Sequence, residues 1–211
     1  MCAIYEEVIR RFHSITLTGR LCYIFMCMER YLTGMYPGRD WTPVAERMWP
    51  WTEQGSWDGC MQRYYTIVPD LVDFIIDLHD PTLHLSRYRR STEPGREDYE
   101  EMTAMFRGDP DDAADRAFCD LLLKDTDFCR IMLMPVWFND AVEGTCVSGA
   151  ELTVAHRINE LEEILRKHQI ALPDMSLMQH FMFGRKQRGS GWGEPESTKY
   201  LSVILHPEQL K

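Results

Sequence analysis

LCYIFMCMERYL, Leu21 to Leu32, is the stretch that decides how the rest of the chain must be arranged. Its first eight residues, Leu21 to Met28, are all apolar and form the longest unbroken run of that kind. A helix that is apolar all round offers no face to water, so other helices must surround it. The run is far shorter than the roughly 20 residues a membrane span requires. The expected setting is the middle of a globular body, not a bilayer. Glu29 interrupts the run, Thr18 is placed to cap the helix at its start, and Gly34 is placed to stop it before the turn MYPGRD.

The neighbouring segments supply the surrounding helices. Ile4, Val8, Phe12 and Ile15 recur at helical spacing and predict an amphipathic helix from Ile4 to Ile15. Downstream, Asp40 to Gly59 holds four of the six tryptophans, Trp41, Trp49, Trp51 and Trp57. Thr42-Pro43 reads as an N-cap followed by proline in the first turn, with the helix ending at Met48 because Pro50 disfavours helix before it. A second short helix is expected from Ser56 through Val68, and a third from Leu71 to Leu78 before Pro81. Large rings fill the irregular gaps where short helices cross, so the tryptophans are read as core and joint filler before partner or ligand patch. Thr82 to Pro94, with Arg87, Arg89 and Arg90, is expected to be a loop or a helix end.

Further helices are expected over Arg96–Phe106, from Pro110 to Lys124 behind an Asp109-Pro110 cap, and over Thr126–Met134 before Pro135. Ser148 and Glu151 have the spacing of a capping box. The helix they open carries Val154, Ile158, Leu161 and Leu165 on one stripe, with Glu160, Glu162, Glu163, Arg166 and Lys167 largely off it, and ends near His168. Tyr200 to Leu205, with Val203 and Ile204, reads as a strand. With the short aromatic segment Phe181–Phe183 it predicts a small two-stranded β element near the C-terminus, joined by a mobile glycine-rich loop over 184–199. The fold class is mainly α: a single irregular multi-helix domain over residues 1–211.

A 45% hydrophobic share is ample for a core and excludes intrinsic disorder. Glu6 and Glu7 stand where a signal peptide would be apolar, so a cytoplasmic protein is expected. The seven cysteines are odd in number, contain no CxxC and sit mostly in apolar stretches, which reads as reduced buried thiols. A net charge of −10 argues against nucleic acid as partner. Between Glu97 and Asp127 eleven acids face only Arg107, Arg116 and Lys124, a net of −8.

Several constellations invite a chemical reading. Glu97 and Glu100 followed by Asp112 and Asp115 resemble the ExxE…ExxD magnesium cradle of all-α nucleotide pyrophosphatases, since residues three apart share a helix face. The second pair begins with Asp, however, and falls in a first helical turn, where acids complement the dipole. His79-Asp80 resembles the paired ligands of HD-type metal phosphohydrolases, with His13 and Asp127 as further nominees, but Leu78 to Pro81 is equally a helix end. His156, Glu160 and Glu163 lack the second Glu-x-x-His of a di-iron bundle. Gly184 to Ser190 lacks the Lys-Ser/Thr of a phosphate loop, and no GxSxG is present.

The stretch YLTGMYPGRDWTPVAERMW…WDGCMQRYYTIVPDLV, about Tyr31 to Val72, resembles the tryptophan-containing segment of small helical immunity proteins from bacterial toxin–immunity systems. That resemblance implies a cytosolic protein that neutralises a cognate toxin without catalysis. An acidic surface would steer a basic partner, and buried rings would supply affinity. The expected function is thus a non-enzymatic protein-binding module needing no cofactor. Asp109, Asp111, Asp112, Asp115, Trp57 and Trp192 are the candidate partner-binding residues. The alternatives are a metal-dependent phosphohydrolase using Glu97, Glu100, Asp112 and Asp115, and a homo-oligomeric structural protein with tryptophans at its interface.

Overall fold

A computed structural model describes residues 3–53, 108–109, 111–143, 150–184, 192–193 and 196–210. They are mainly helical, and the chain divides into two compact units, residues 1–57 with 134–211, and residues 58–133. No helix among the described residues is long and apolar enough to cross a membrane.

In the first unit, α1 (Ala3–Phe12), α2 (Leu17–Met35) and α3 (Thr42–Met48) follow one another, and α3 runs into a 3-10 turn over Trp49–Glu53. The apolar stretch at Leu21 is the centre of this unit: every residue of α2 from Thr18 to Glu29 is buried. The long C-terminal helix Ala150–Lys167 packs against both α1 and α2. Its stripe Val154, Ile158, Leu161 and Leu165 is buried, as the spacing predicts. Trp41, Trp49 and Trp51 are core side chains, and the rings of Trp49 and Trp51 lie 5.5 and 6.0 Å from that of Phe25. Burial of each such ring or aliphatic chain contributes on the order of 2 kcal/mol. Trp57 lies outside the described residues.

Capping differs from expectation in two places. Thr16, not Thr18, caps α2: its hydroxyl accepts from the Gly19 N–H at 3.2 Å, which leaves Thr18 buried inside the helix. Trp41 stands at the N-cap of α3 with no side-chain cap, while Asp40 takes the Thr42 N–H at 2.9 Å. Met48 ends α3, as Pro50 predicts.

The expected two-stranded C-terminal element is not formed among the described residues. Lys199–Leu201 is a 3-10 turn and 203–205 are turn residues. A β ladder needs the backbone N–H groups of Val203 and Ile204, and both point instead at the Glu29 carboxylate, at 2.7 and 3.4 Å. Phe181–Phe183 pairs elsewhere too. Met182 forms an isolated antiparallel bridge with Ile15, the Phe181 carbonyl accepts from Thr16, and Phe183 donates to Ser14. Gly19 permits this approach, because a Cβ there would run into Phe181 and Ile15. Of the expected loop 184–199, Gly184, Trp192, Gly193 and 196–199 are described, and Thr18 N–H donates to the Trp192 carbonyl at 3.2 Å.

In the second unit α4 spans Ala113–Lys124, with Phe118, Cys119 and Leu122 buried. Its N-cap is Asp112, three residues after the expected Asp109. Asp125 Oδ1 then accepts from the N–H groups of Asp127 and Phe128, both at 3.0 Å, which starts α5 (Thr126–Glu143). The unit boundary falls inside α5. α5 does not stop at Met134. Proline inside a helix costs about 3 kcal/mol, and complete burial of Phe128, Ile131, Met132, Met134 and Phe138 outweighs it. Ala150–Lys167 is α6. The Ser148 cap, the expected helices over Ser56–Val68, Leu71–Leu78 and Arg96–Phe106, and the Arg87–Arg90 segment lie outside the described residues.

Candidate functional site

The acidic segment enters α4 through a self-contained turn. Gly108 is left-handed, with φ +59°, and a Cβ there would collide with the Asp115 carboxylate. Asp115 Oδ2 accepts from the Asp109 N–H at 2.8 Å, and Asp109 Oδ1 from the Asp111 N–H at 2.9 Å. Asp112 Oδ1 accepts from Ala114 and Asp115, at 2.6 and 3.2 Å. Three aspartate carboxylates thus accept from the backbone of this turn, and Asp112 takes two of the donors that the helix leaves unpaired at its start. Asp109, Asp111 and Asp112 remain exposed to water, and Asp115 is half-buried. Asp120 and Leu121 are exposed further along α4, Leu121 by 51%. The other half of the carboxylate cradle, Glu97 and Glu100, lies outside the described residues, as do His79 and Asp80. Asp112 and Asp115 are engaged by backbone N–H groups.

Trp192 belongs to the first unit. It is half-buried, with its ring 6.1 Å from that of Phe138 in an edge-to-face arrangement. His13 is exposed and bonded to the Arg10 carbonyl, whereas Asp127 is buried. His156 is exposed, Glu160 pairs with Arg157 at 3.0 Å, and Glu163 accepts from Asn159 at 2.9 Å. Arg157 also lies 4.4 Å from the Trp137 ring centroid. A hollow of about 400 Å³ opens beside Leu152, Thr153, His156 and Arg157. Among the described residues no group of three or more His, Cys, Asp or Glu is placed to hold a metal ion.

Cys22, Cys27 and Cys119 are buried, Cys129 is half-buried, and none of the four is in a disulfide. Burial pushes Cys22 up to about 12 and Cys129 up to about 11, and it raises Cys27 as well. These groups stay protonated at neutral pH and make poor nucleophiles.

Two heavily bonded polar centres lie inside the first unit, and neither is among the candidate site residues read from the sequence. Glu29 is fully buried. Its Oε1 accepts from Trp49 Nε1 and Ser202 Oγ, both at 2.6 Å, and its Oε2 from Val203 and Ile204. Burial raises its carboxyl above the usual range, with the four donors opposing that rise. Glu162, expected off the buried stripe of α6, is also fully buried. It binds Arg11 through both oxygens, at 2.5 and 3.0 Å, Tyr23 Oη at 2.7 Å and Arg166 at 2.7 Å. Burial pushes Glu162 up, but the hydrogen bonds from Arg11 and Tyr23 and the two guanidinium charges bring it below the usual range. A signal for Glu29 was present: it is the lone carboxylate terminating an apolar run in a helix that must be surrounded.

Comparison with known protein families, with curated proteins and with solved structures finds no match to this chain.

Proposed function

We propose that the chain is a non-catalytic binding protein whose acidic segment at the start of α4 docks a basic protein, in the manner of an immunity-type inhibitor. The observation that supports this reading is the outward display of Asp109, Asp111, Asp112 and Asp120 above a buried Phe118, Cys119 and Leu122. The Asp109 and Asp112 carboxylates are held by the backbone of the turn itself, so a partner would meet a partly ordered negative surface. Such a surface chiefly raises the association rate and selects the partner by charge. Leu121, exposed beside Asp120, offers the apolar contact that charge alone does not supply.

The test is co-expression with the product of the neighbouring reading frame, followed by co-purification. Asp111→Lys with Asp120→Lys leaves the Asp112 cap intact. The double reversal is expected to weaken capture by at least about tenfold at low salt and by less at high salt. Capture of a basic protein that is indifferent to both reversal and salt would overturn the reading, as would the absence of any such partner.

A further inference from the structure

Leu152, Thr153, His156 and Arg157 recur at the spacing of one helical turn, which places them on the face of α6 turned away from its buried stripe. Such a face is ordinarily polar and solvated. Here it lines the hollow of about 400 Å³ and carries Leu152, which is 48% exposed. Arg157 is fixed in this lining from two sides. Its guanidinium lies 4.4 Å from the Trp137 ring centroid, and its Nη1 donates to Glu160 at 3.0 Å. Nε and Nη2, the two nitrogens that grip a carboxylate side-on, have no hydrogen-bond partner, and Nε is out of reach of water as well. A buried donor left unpaired is costly, so an acceptor brought to this edge is favoured.

We propose that the hollow is a binding site for a small monocarboxylic acid with an apolar body. The carboxylate takes the Nε–Nη2 edge of Arg157, and the apolar body covers Leu152. Trp137 and Glu160 hold the guanidinium in place before the ligand arrives, so little side-chain freedom is lost on binding. A single negative charge suits the site: Arg157 is the one Lys or Arg among the four described lining residues, and Glu160 already answers part of its charge. A phosphate dianion finds too little positive charge there, and a ligand without an acceptor leaves Nε unpaired. Thr153 and His156 add polar groups that orient the ligand. The site does not depend on the docking surface at α4.

Isothermal titration of the full chain with naphthylacetate, and with its neutral amide as an isostere, tests this. The acid is expected to bind saturably with a Kd of about 1 mM or below, and the amide roughly tenfold more weakly or worse. Arg157→Gln removes the charged edge and should weaken the acid by roughly tenfold or more while leaving the amide unchanged. Equal affinity of acid and amide overturns the proposal, as does the absence of saturable binding by the acid. Inorganic phosphate that displaces the acid at equal concentration would mark a bare anion site and would also overturn it. Should Arg157→Gln not fold, Leu152→Glu decides. Leu152 is exposed in the first turn of α6, where an acid suits the helix dipole, and the new carboxylate sets a like charge against the ligand. Undiminished binding of the acid to either variant places the ligand elsewhere and overturns the proposal.

Discussion

Glu29 and Glu162 are both fully buried in the first unit, yet they are solved in opposite ways. Glu162 is met by the guanidinium groups of Arg11 and Arg166 and by Tyr23, and its carboxyl falls below the usual range. Glu29 is met by an indole, a hydroxyl and two backbone amides, and its carboxyl rises. Burial alone therefore does not decide how an acid behaves. The bonds and charges of its partners decide as well, and at Glu162 the two guanidinium groups add a Coulombic attraction that the neutral donors at Glu29 lack. Glu162 of α6 holds Arg11 of α1 by charge and Tyr23 of α2 by a hydrogen bond, whereas Glu29 of α2 holds Ser202, Val203 and Ile204 by hydrogen bonds from neutral groups.

The largest expected effect breaks the charged centre. Arg11→Ala leaves Glu162 buried with Tyr23 and the outer Arg166, and should destabilise the first unit by about 3 kcal/mol, read from urea unfolding. Equal stability of variant and wild type would show Glu162 to be compensated without Arg11. The next effect belongs to the neutral centre. Glu29→Gln places an amide N–H₂ against at least one donor and should cost about 2 kcal/mol.

The pH dependence of the same unfolding sharpens the contrast. Glu162 has a folded value below the unfolded one, so its stabilisation is present above the ordinary glutamate range and is lost as pH falls through the folded value. Glu29 has a folded value above the unfolded one, so its contribution is greatest at acid pH and is lost as pH rises through the folded value. Glu162→Gln should therefore flatten the acid loss of stability, and Glu29→Gln should deepen it. Matching pH profiles for the two variants would refute the distinction. The exposed acids of the second unit give the smallest effects. Asp112→Ala removes a cap accepting two N–H groups and should cost about 1 kcal/mol by thermal unfolding. Asp111→Lys should stay within about 0.5 kcal/mol, so that any larger change would assign the Asp111 side chain a structural role.

Much of the helical framework was legible because period and punctuation are local. The α6 stripe, the stop at Met48 and the enclosed α2 all follow from residues within a few turns of each other. Pro135 misled because its effect on the backbone is legible in the sequence, whereas the complete burial of Met134 and Phe138 around it is not. The strand expected at Tyr200 to Leu205 failed for the same reason: β-branched residues fit a ladder, but a carboxylate some 170 residues away took their amides. Of the candidate partner residues, the exposure of Asp109, Asp111 and Asp112 follows from their place in a cap. That Trp192 lies against Phe138 had no sequence signal.

The sequence by itself determined the helical class, the enclosure of Leu21 to Met28, the acid excess between Glu97 and Asp127, and the burial of Cys22 and Cys27. These depend on side-chain type and on spacing over one or two turns. Only the tertiary structure decided which acids are buried and what meets them. Glu162 looks like its neighbouring glutamates, and although the place of Glu29 after an apolar run hints at its burial, the partners of both come from segments far away in sequence, where hydrogen-bond geometry and loss of water act on them.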